Sequence, residues 1–109
     1  MPHLRIRAIK ADTVQVLSTE LVNQLQPLMD CPREDFTIEC ISTQFFFDGQ
    51  SSQAYPFVEV YWFDRGQAVQ DKVAAVITDL IKQVQPCDDL AVVFTALSPT
   101  AYYDNGAHY

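Results

Sequence analysis

Pro2-His3-Leu4-Arg5-Ile6 and Pro56-Phe57-Val58-Glu59-Val60 stand 54 residues apart and share one pattern, a proline followed by an alternating strand. In the first, Leu4, Ile6 and Ala8 fall on one face and His3, Arg5 and Arg7 on the other. That alternation predicts a half-buried strand over His3 to Ala8, and the second copy predicts one over Pro56 to Phe63. The match runs on past the strands. Leu21, Val22 and Leu25 sit against Val76, Ile77 and Leu80 at an offset of 55. Asp35-Phe36-Thr37-Ile38 sits against Asp89-Leu90-Ala91-Val92, again at 54. The reading is two β-α-β units, about 2–47 and 56–97, each with a right-handed crossover.

Each unit carries one helical pattern. Asp12-Thr13-Val14-Gln15 has an acid with Gln three positions on, a variant of the capping box. Val14, Leu17, Leu21, Val22, Leu25, Leu28 and Met29 follow at helical spacing, and Pro27 is expected to end or kink that helix. Asp64-Arg65-Gly66-Gln67 repeats the cap at an offset of 52, which predicts a second helix starting about one turn early. Val69, Val73, Val76, Ile77, Leu80, Ile81 and Val84 form its apolar stripe.

The connections are also legible. Cys31 to Asp35 reads as a turn and Phe36 to Phe47 as one long β-rich run. Asp48 to Gln53 reads as a loop, Leu90 to Leu97 as a strand, and Ser98 to Tyr109 as an irregular, Tyr-rich tail. Two helices cover only one face of such a sheet. The other mixes Arg5 and Arg7 with Phe57, Glu59, Tyr61 and Phe63, which suits an assembly surface better than a solvated one. Arg5 and Glu59 are expected to form a cross-strand pair there, with His3 on the same mixed face.

Composition narrows the function classes. The 109 residues fit one domain spanning 1–109, and 49% hydrophobic with 19% charged residues is globular composition. Seven basic against fourteen acidic residues give a net charge of −7, which argues against nucleic acid and anionic membranes as partners. No apolar stretch approaches the ~20 residues of a membrane span, and the N-terminus does not read as a signal peptide. Cys31, Cys40 and Cys87 are odd in number and at no metal-like spacing, so they read as reduced thiols of a cytoplasmic protein without a bound metal. With only Gly49, Gly66 and Gly106, no phosphate loop or dinucleotide fingerprint can be written, and no cofactor is expected.

A β-α-β duplication starting at Met1-Pro2 resembles the tautomerase superfamily, to which macrophage migration inhibitory factor and oxalocrotonate tautomerase belong. More closely, Met1-Pro2-His3-Leu4-Arg5-Ile6-Arg7, Tyr55-Pro56-Phe57-Val58-Glu59-Val60, Trp62-Phe63-Asp64-Arg65 and Thr100-Ala101-Tyr102-Tyr103 look like a bacterial branch of that superfamily. The resemblance implies an α+β fold with a four-stranded mixed sheet and two helices on one face. It also implies a homotrimer in which the free sheet faces line a central barrel. Catalysts of the superfamily use an amino-terminal proline, exposed by methionine removal, as an acid or base.

Physical chemistry agrees with that role for Pro2. Loss of Met1 would turn an amide into a secondary amine, and a free α-amino group titrates at roughly 7.7–8.0. A base poised near neutrality suits proton abstraction beside a carbonyl. The bland alternative is a proline that merely starts a strand. Arg65, between a strand end and a helix start, matches superfamily arginines that hold substrate carboxylates; its alternative is a surface ion pair with Asp64. Arg33 lies near where macrophage migration inhibitory factor carries an active-site lysine. Tyr102 and Tyr103 either close the pocket or pack between subunits.

There are departures from the family pattern. Its carboxy-terminal tyrosine and asparagine would fall around Thr95 to Pro99, where neither type occurs, which argues against a phenyl-conjugated-ketone tautomerase. The absence of Cys-x-x-Cys removes thiol-redox activity. The expected function is tautomerase-like proton transfer by Pro2 on a small anionic keto or enol acid, with Arg65, Arg33 and Tyr103 binding substrate. Related decarboxylase or dehalogenase-type lyase reactions use the same proline. The alternative is a non-catalytic trimeric binding or scaffold protein that retains the fold.

Overall fold

Leu4 and Ile6 on the first strand and Val58, Val60 and Trp62 on its antiparallel neighbour are fully buried, and this apolar face organises the chain. The computed structural model describes residues 1–109. The elements run β1 (His3–Arg7), α1 (Ala11–Met29), β2 (Thr37–Ile41), β3 (Phe45–Phe47), β4 (Gln50–Ser52), β5 (Phe57–Trp62), α2 (Gln67–Val84), β6 (Ala91–Ala96), β7 (Tyr103–Asp104) and β8 (Ala107–His108). Short 3₁₀ turns cover Arg33–Asp35 and Pro99–Ala101.

The main sheet has the order β2-β1-β5-β6. β1 runs parallel to β2 and antiparallel to β5, and β5 runs parallel to β6. It is thus the mixed four-stranded sheet of an α+β fold. The repeat reappears in its hydrogen bonds. Thr37 N–H donates to the Pro2 carbonyl at 3.2 Å, and Ala91 N–H donates to the Pro56 carbonyl at 3.1 Å. Both pairs carry the offset of 54, and both proline rings are buried.

The two helices pack together over the apolar face. α1 contributes Val14, Leu17, Leu21, Leu25 and Met29, and α2 contributes Val73, Ile77, Leu80 and Ile81. The opposite face is a polar ladder. His3 contacts Thr37 at 2.5 Å and Glu39 at 3.3 Å, and Arg5 donates to Glu39 at 2.7 Å and to the Tyr61 hydroxyl at 3.4 Å. Arg7 pairs with Glu59, which also accepts from the Tyr61 hydroxyl at 3.1 Å. Arg5 and Glu59 do stand opposite each other, as the alternation predicts, yet their side chains choose other partners. Arg5 lies between two glutamates, and Arg7 reaches Glu59 diagonally, so each carboxylate gains its own guanidinium.

Local expectations are corrected in five places. Ala8 adopts a left-handed conformation (φ 65°), which turns the chain early; α1 starts at Ala11 behind Lys10, whose side chain makes no cap bond. The Asp12 carboxylate instead accepts from Thr13 N–H at 2.8 Å. Pro27 does not stop α1, which runs on to Met29 and ends where Asp30 turns left-handed and donates to the Gln26 carbonyl. Near a helix end the missing proline N–H withdraws a bond from only one carbonyl, which packing tolerates. α2 begins at Gln67, later than the repeat offset predicts, because Asp64 accepts from Gly66 N–H at 2.8 Å and Gly66 takes φ 87°.

The fourth correction concerns 36–53. The expected single run breaks at Ser42–Gln44, and Gln50–Ser52 is a strand rather than loop. Asp48 (φ 50°) and Gly49 (φ 77°) make the left-handed pair that a two-residue hairpin requires, so β3 and β4 pair as a projecting arm. Asn105 and Gly106 do the same between β7 and β8 in the tail expected to be irregular. No helix is long and apolar enough to cross a membrane.

Candidate functional site

Arg65 is the hub of the amino-terminal end of β1. β5 delivers the chain to Asp64-Arg65-Gly66, and the Asp64–Gly66 turn sends the Arg65 side chain back under the sheet end. Its guanidinium carbon lies 5.4 Å from the centre of the Trp62 ring. Nε donates to the Met29 carbonyl at 2.9 Å, Nη1 to Phe63 at 2.6 Å and Nη2 to Met1 at 3.2 Å. Met29 is the last residue of α1, whose final turn contains no basic residue. Arg65 therefore supplies the positive charge and donor that a helix C-terminus favours. The alternative for Arg65, a surface ion pair with Asp64, does not form; Asp64 is occupied as the turn acceptor.

This placement puts the guanidinium beside Pro2. The Met1 carbonyl is the acyl half of the Met1–Pro2 peptide, so the Nη2 contact falls on the group bonded to the Pro2 nitrogen. The Pro2 ring is buried, and its carbonyl is fixed by Thr37 N–H. The Met1 ammonium faces the Asp35 carboxylate at 4.0 Å. Register explains that meeting: His3 pairs with Thr37, so position 1 falls opposite Asp35.

Two further groups complete the cluster. Cys31, in the turn after α1, has its thiol pushed up chiefly by burial, with Arg65 and the amino terminus pulling the other way. Phe63, Tyr102 and Tyr109 form an aromatic triangle with ring centres 5.2–5.4 Å apart. The Tyr109 hydroxyl is pushed up first by desolvation and then by Asp104, Tyr102 and Asp35. Asp35 thus acts on both the amino terminus and the aromatic triangle.

Of the residues singled out in the sequence, Pro2 and Arg65 come together. Arg33 is exposed on the 3₁₀ turn that carries Asp35, and its side chain makes no hydrogen bond or ion pair. Tyr103 does not join them. It is 62% exposed and packs edge-on against His108 at 5.7 Å, whereas Tyr102, where the chain leaves the Pro99–Ala101 turn, packs against Phe63. Cys31, Asp35, Phe63 and Tyr109 join the cluster although the sequence pattern points to no site role for them. The offset of 54 could have found Asp35, since it aligns the parallel strand pairs; no sequence signal marks Tyr109.

The largest surface depression lies elsewhere. It measures about 780 Å³ and sits at the far end of β1, between Ala8, Ser42–Phe45, the β4 end and Gln85. Its lining contains one charged residue, Lys10, and none of the groups around Pro2. No group of three or more His, Cys, Asp or Glu side chains is placed to hold a metal ion.

Known structures share this fold. A Sebaldella termitidis structure carrying a domain of unknown function (DUF1904) superposes with a TM-score of 0.94 at 36% identity, covering all of both chains. A protein of unknown function from Vibrio cholerae gives 0.89 at 49% identity, over 99% of this chain and 87% of its own. At low identity, a macrophage migration inhibitory factor-like protein from Entamoeba histolytica gives 0.77 at 13%, over 99% and 98% of the two chains. A fused 4-OT described as an asymmetric trimer gives 0.83 at 16%, over 97% and 94%. No curated protein matches the sequence. Residues 1–108 match the family described as Domain of unknown function (DUF1904), so the chain belongs to that family and has the fold of the tautomerase superfamily.

Proposed function

We propose that this protein is a tautomerase-like enzyme in which Pro2, freed by methionine removal, moves a proton on a small anionic keto or enol acid. The contact of Arg65 Nη2 with the Met1 carbonyl carries the reading. Removing Met1 deletes that carbonyl, and with it the amide character of the Pro2 nitrogen. A basic lone pair and a vacated guanidinium N–H then appear side by side. One suits the carbon beside a keto group and the other a carboxylate oxygen. The pyrrolidine nitrogen accepts the proton from that carbon, leaving an enol or enolate, and returns it at the other end of the conjugated system. Arg33 on the neighbouring turn adds positive charge for the approach of an anion.

The working unit under this reading is a homotrimer, supported by the ladder of paired charges on the free sheet face and by the trimeric fused 4-OT of the same fold. Tyr103, exposed on its hairpin, reaches substrate only if the site is completed by a neighbouring subunit. The test is a screen of keto acids for enolisation, comparing protein lacking Met1 with its Pro2→Ala variant. Activity in the first and none in the second is expected; equal activity overturns the proposal.

One observation favours the second reading, a non-catalytic trimeric binding or scaffold protein. All three donor nitrogens of Arg65 already hold backbone carbonyls, and the Pro2 ring is buried, as a purely structural corner requires. An intact mass that retains Met1 in protein from its native cell would decide for that reading.

A further inference from the structure

We propose that Asp35 is the counter-charge of the Pro2 amine and, as a positioning residue, sets the pH at which that amine changes protonation. The proposal rests on the reading that Met1 is removed and Pro2 carries the amine.

The geometry begins with strand register. β1 and β2 are parallel and pair His3 with Thr37, and Thr37 N–H fixes the Pro2 carbonyl. Asp35 precedes Thr37 by two residues, as Met1 precedes His3, so its carboxylate stands opposite the end of the chain. The Met1 ammonium lies 4.0 Å from Asp35 Oδ2, and Asp35 has no other ion-pair partner. After methionine removal the positive nitrogen belongs to Pro2, which the same register sets opposite Phe36, the residue after Asp35.

The charged and titratable groups around that nitrogen come from four elements. Arg65, at the β5–α2 junction, is a like charge still held by the Met29 and Phe63 carbonyls. Cys31, after α1, is a half-buried thiol pushed toward its neutral form, and Asp30 lies next to it. Tyr102 and Tyr109 come from the carboxy-terminal segment, and desolvation pushes the Tyr109 hydroxyl up, toward its neutral form. Arg33 extends into solvent from the Asp35 turn.

Burial of Pro2 and the Arg65 charge both disfavour an ammonium there, and Asp35 opposes them. A carboxylate within about 4–6 Å favours the charged form of an amine, and the 40% exposure of Asp35 reduces the effect through solvent screening. Without Asp35 the amine would lose its proton at lower pH. With it, the amine stays able to act as acid as well as base near neutrality.

The test reads the amine directly. Full-length protein lacking only Met1, labelled with ¹⁵N at Pro2, is titrated by NMR alongside Asp35→Asn and Asp35→Glu variants. The Asn variant should titrate lower by about 0.5–1 pH unit, and the Glu variant should return most of the shift. Melting temperatures of the three should agree closely, since Asp35 is half-exposed in a 3₁₀ turn. An Asn variant with the wild-type midpoint overturns the proposal. The readout needs no substrate, so failure to find a turned-over keto acid counts against the enzyme reading and leaves this inference standing on the titration. If a substrate is found, the low-pH limb of kcat/KM should move with the NMR midpoint.

Discussion

Nη2 of Arg65 donates to the Met1 carbonyl across 3.2 Å, while Nε and Nη1 of the same guanidinium hold Met29 and Phe63. The arginine thus ties the end of α1, the end of β5 and the amino terminus into one corner. It is at once a structural clamp and a cation beside the Met1–Pro2 peptide.

Arg65→Ala should therefore lower stability as well as activity. Loss of a charged donor shared by three part-buried carbonyls costs about 1.5–3 kcal/mol, measurable by urea denaturation. Two of the three nitrogens stay on backbone, so a substrate carboxylate would gain a single-point contact, and kcat/KM should fall about tenfold in the fraction that remains folded. Arg65→Lys should retain the charge yet recover only part of the stability, since an ammonium cannot span three carbonyls in one plane. Wild-type stability in the Ala variant would remove the clamp.

Methionine removal should switch activity without switching the fold. The Met1–Pro2 amide has no basic lone pair, whereas the free amine does. Protein with Met1 retained should show the same melting curve within a few degrees and no turnover of any keto acid that the processed form accepts. Equal turnover by the two forms would remove Pro2 from the chemistry.

Assembly is testable by mass. The face bearing His3, Arg5, Arg7, Glu39, Glu59 and Tyr61 is not covered by either helix. Sedimentation at micromolar concentration should give about three times 12.4 kDa. A clean monomer would overturn the trimer and the need for any residue from a neighbouring subunit.

The same face should make stability fall in acid. Arg5, then His3, holds the Glu39 carboxyl below its ordinary value, and Arg7 does the same for Glu59 with help from the Tyr61 hydroxyl. A carboxyl depressed in the folded state binds fewer protons there than in the unfolded chain. Its contribution is fully present above the unfolded carboxylate pKa, about 4.3, and is lost as pH falls through the lower folded value. Melting temperature should be flat from pH 7 to about 5 on this account and drop below about pH 4.3. A Glu39→Gln, Glu59→Gln double variant should show a smaller acid drop; an unchanged drop would place its origin elsewhere.

Periodicity and repetition determined the fold. Leu4 and Ile6 alternate against His3, Arg5 and Arg7, and the offset of 54 that links Pro2 to Pro56 also links Thr37 to Ala91. Local chain chemistry suffices for such features, because side-chain direction follows directly from strand and helix geometry. Element ends were less legible. The Asp12 cap lost to a left-handed Ala8, and Pro27 was absorbed near a helix end, since boundaries depend on single dihedral choices that packing can override. The site was legible only in part. Pro2 and Arg65 stand out by type and position, but the carbonyls that hold Arg65 belong to Met1, Met29 and Phe63, which no spacing connects. Asp35 meets the amino terminus through parallel register, and Tyr102 rather than Tyr103 faces Phe63 where the chain leaves the Pro99–Ala101 turn. Those meetings bring together residues remote in the chain, and only the folded backbone fixes the distances on which hydrogen bonds and charges depend.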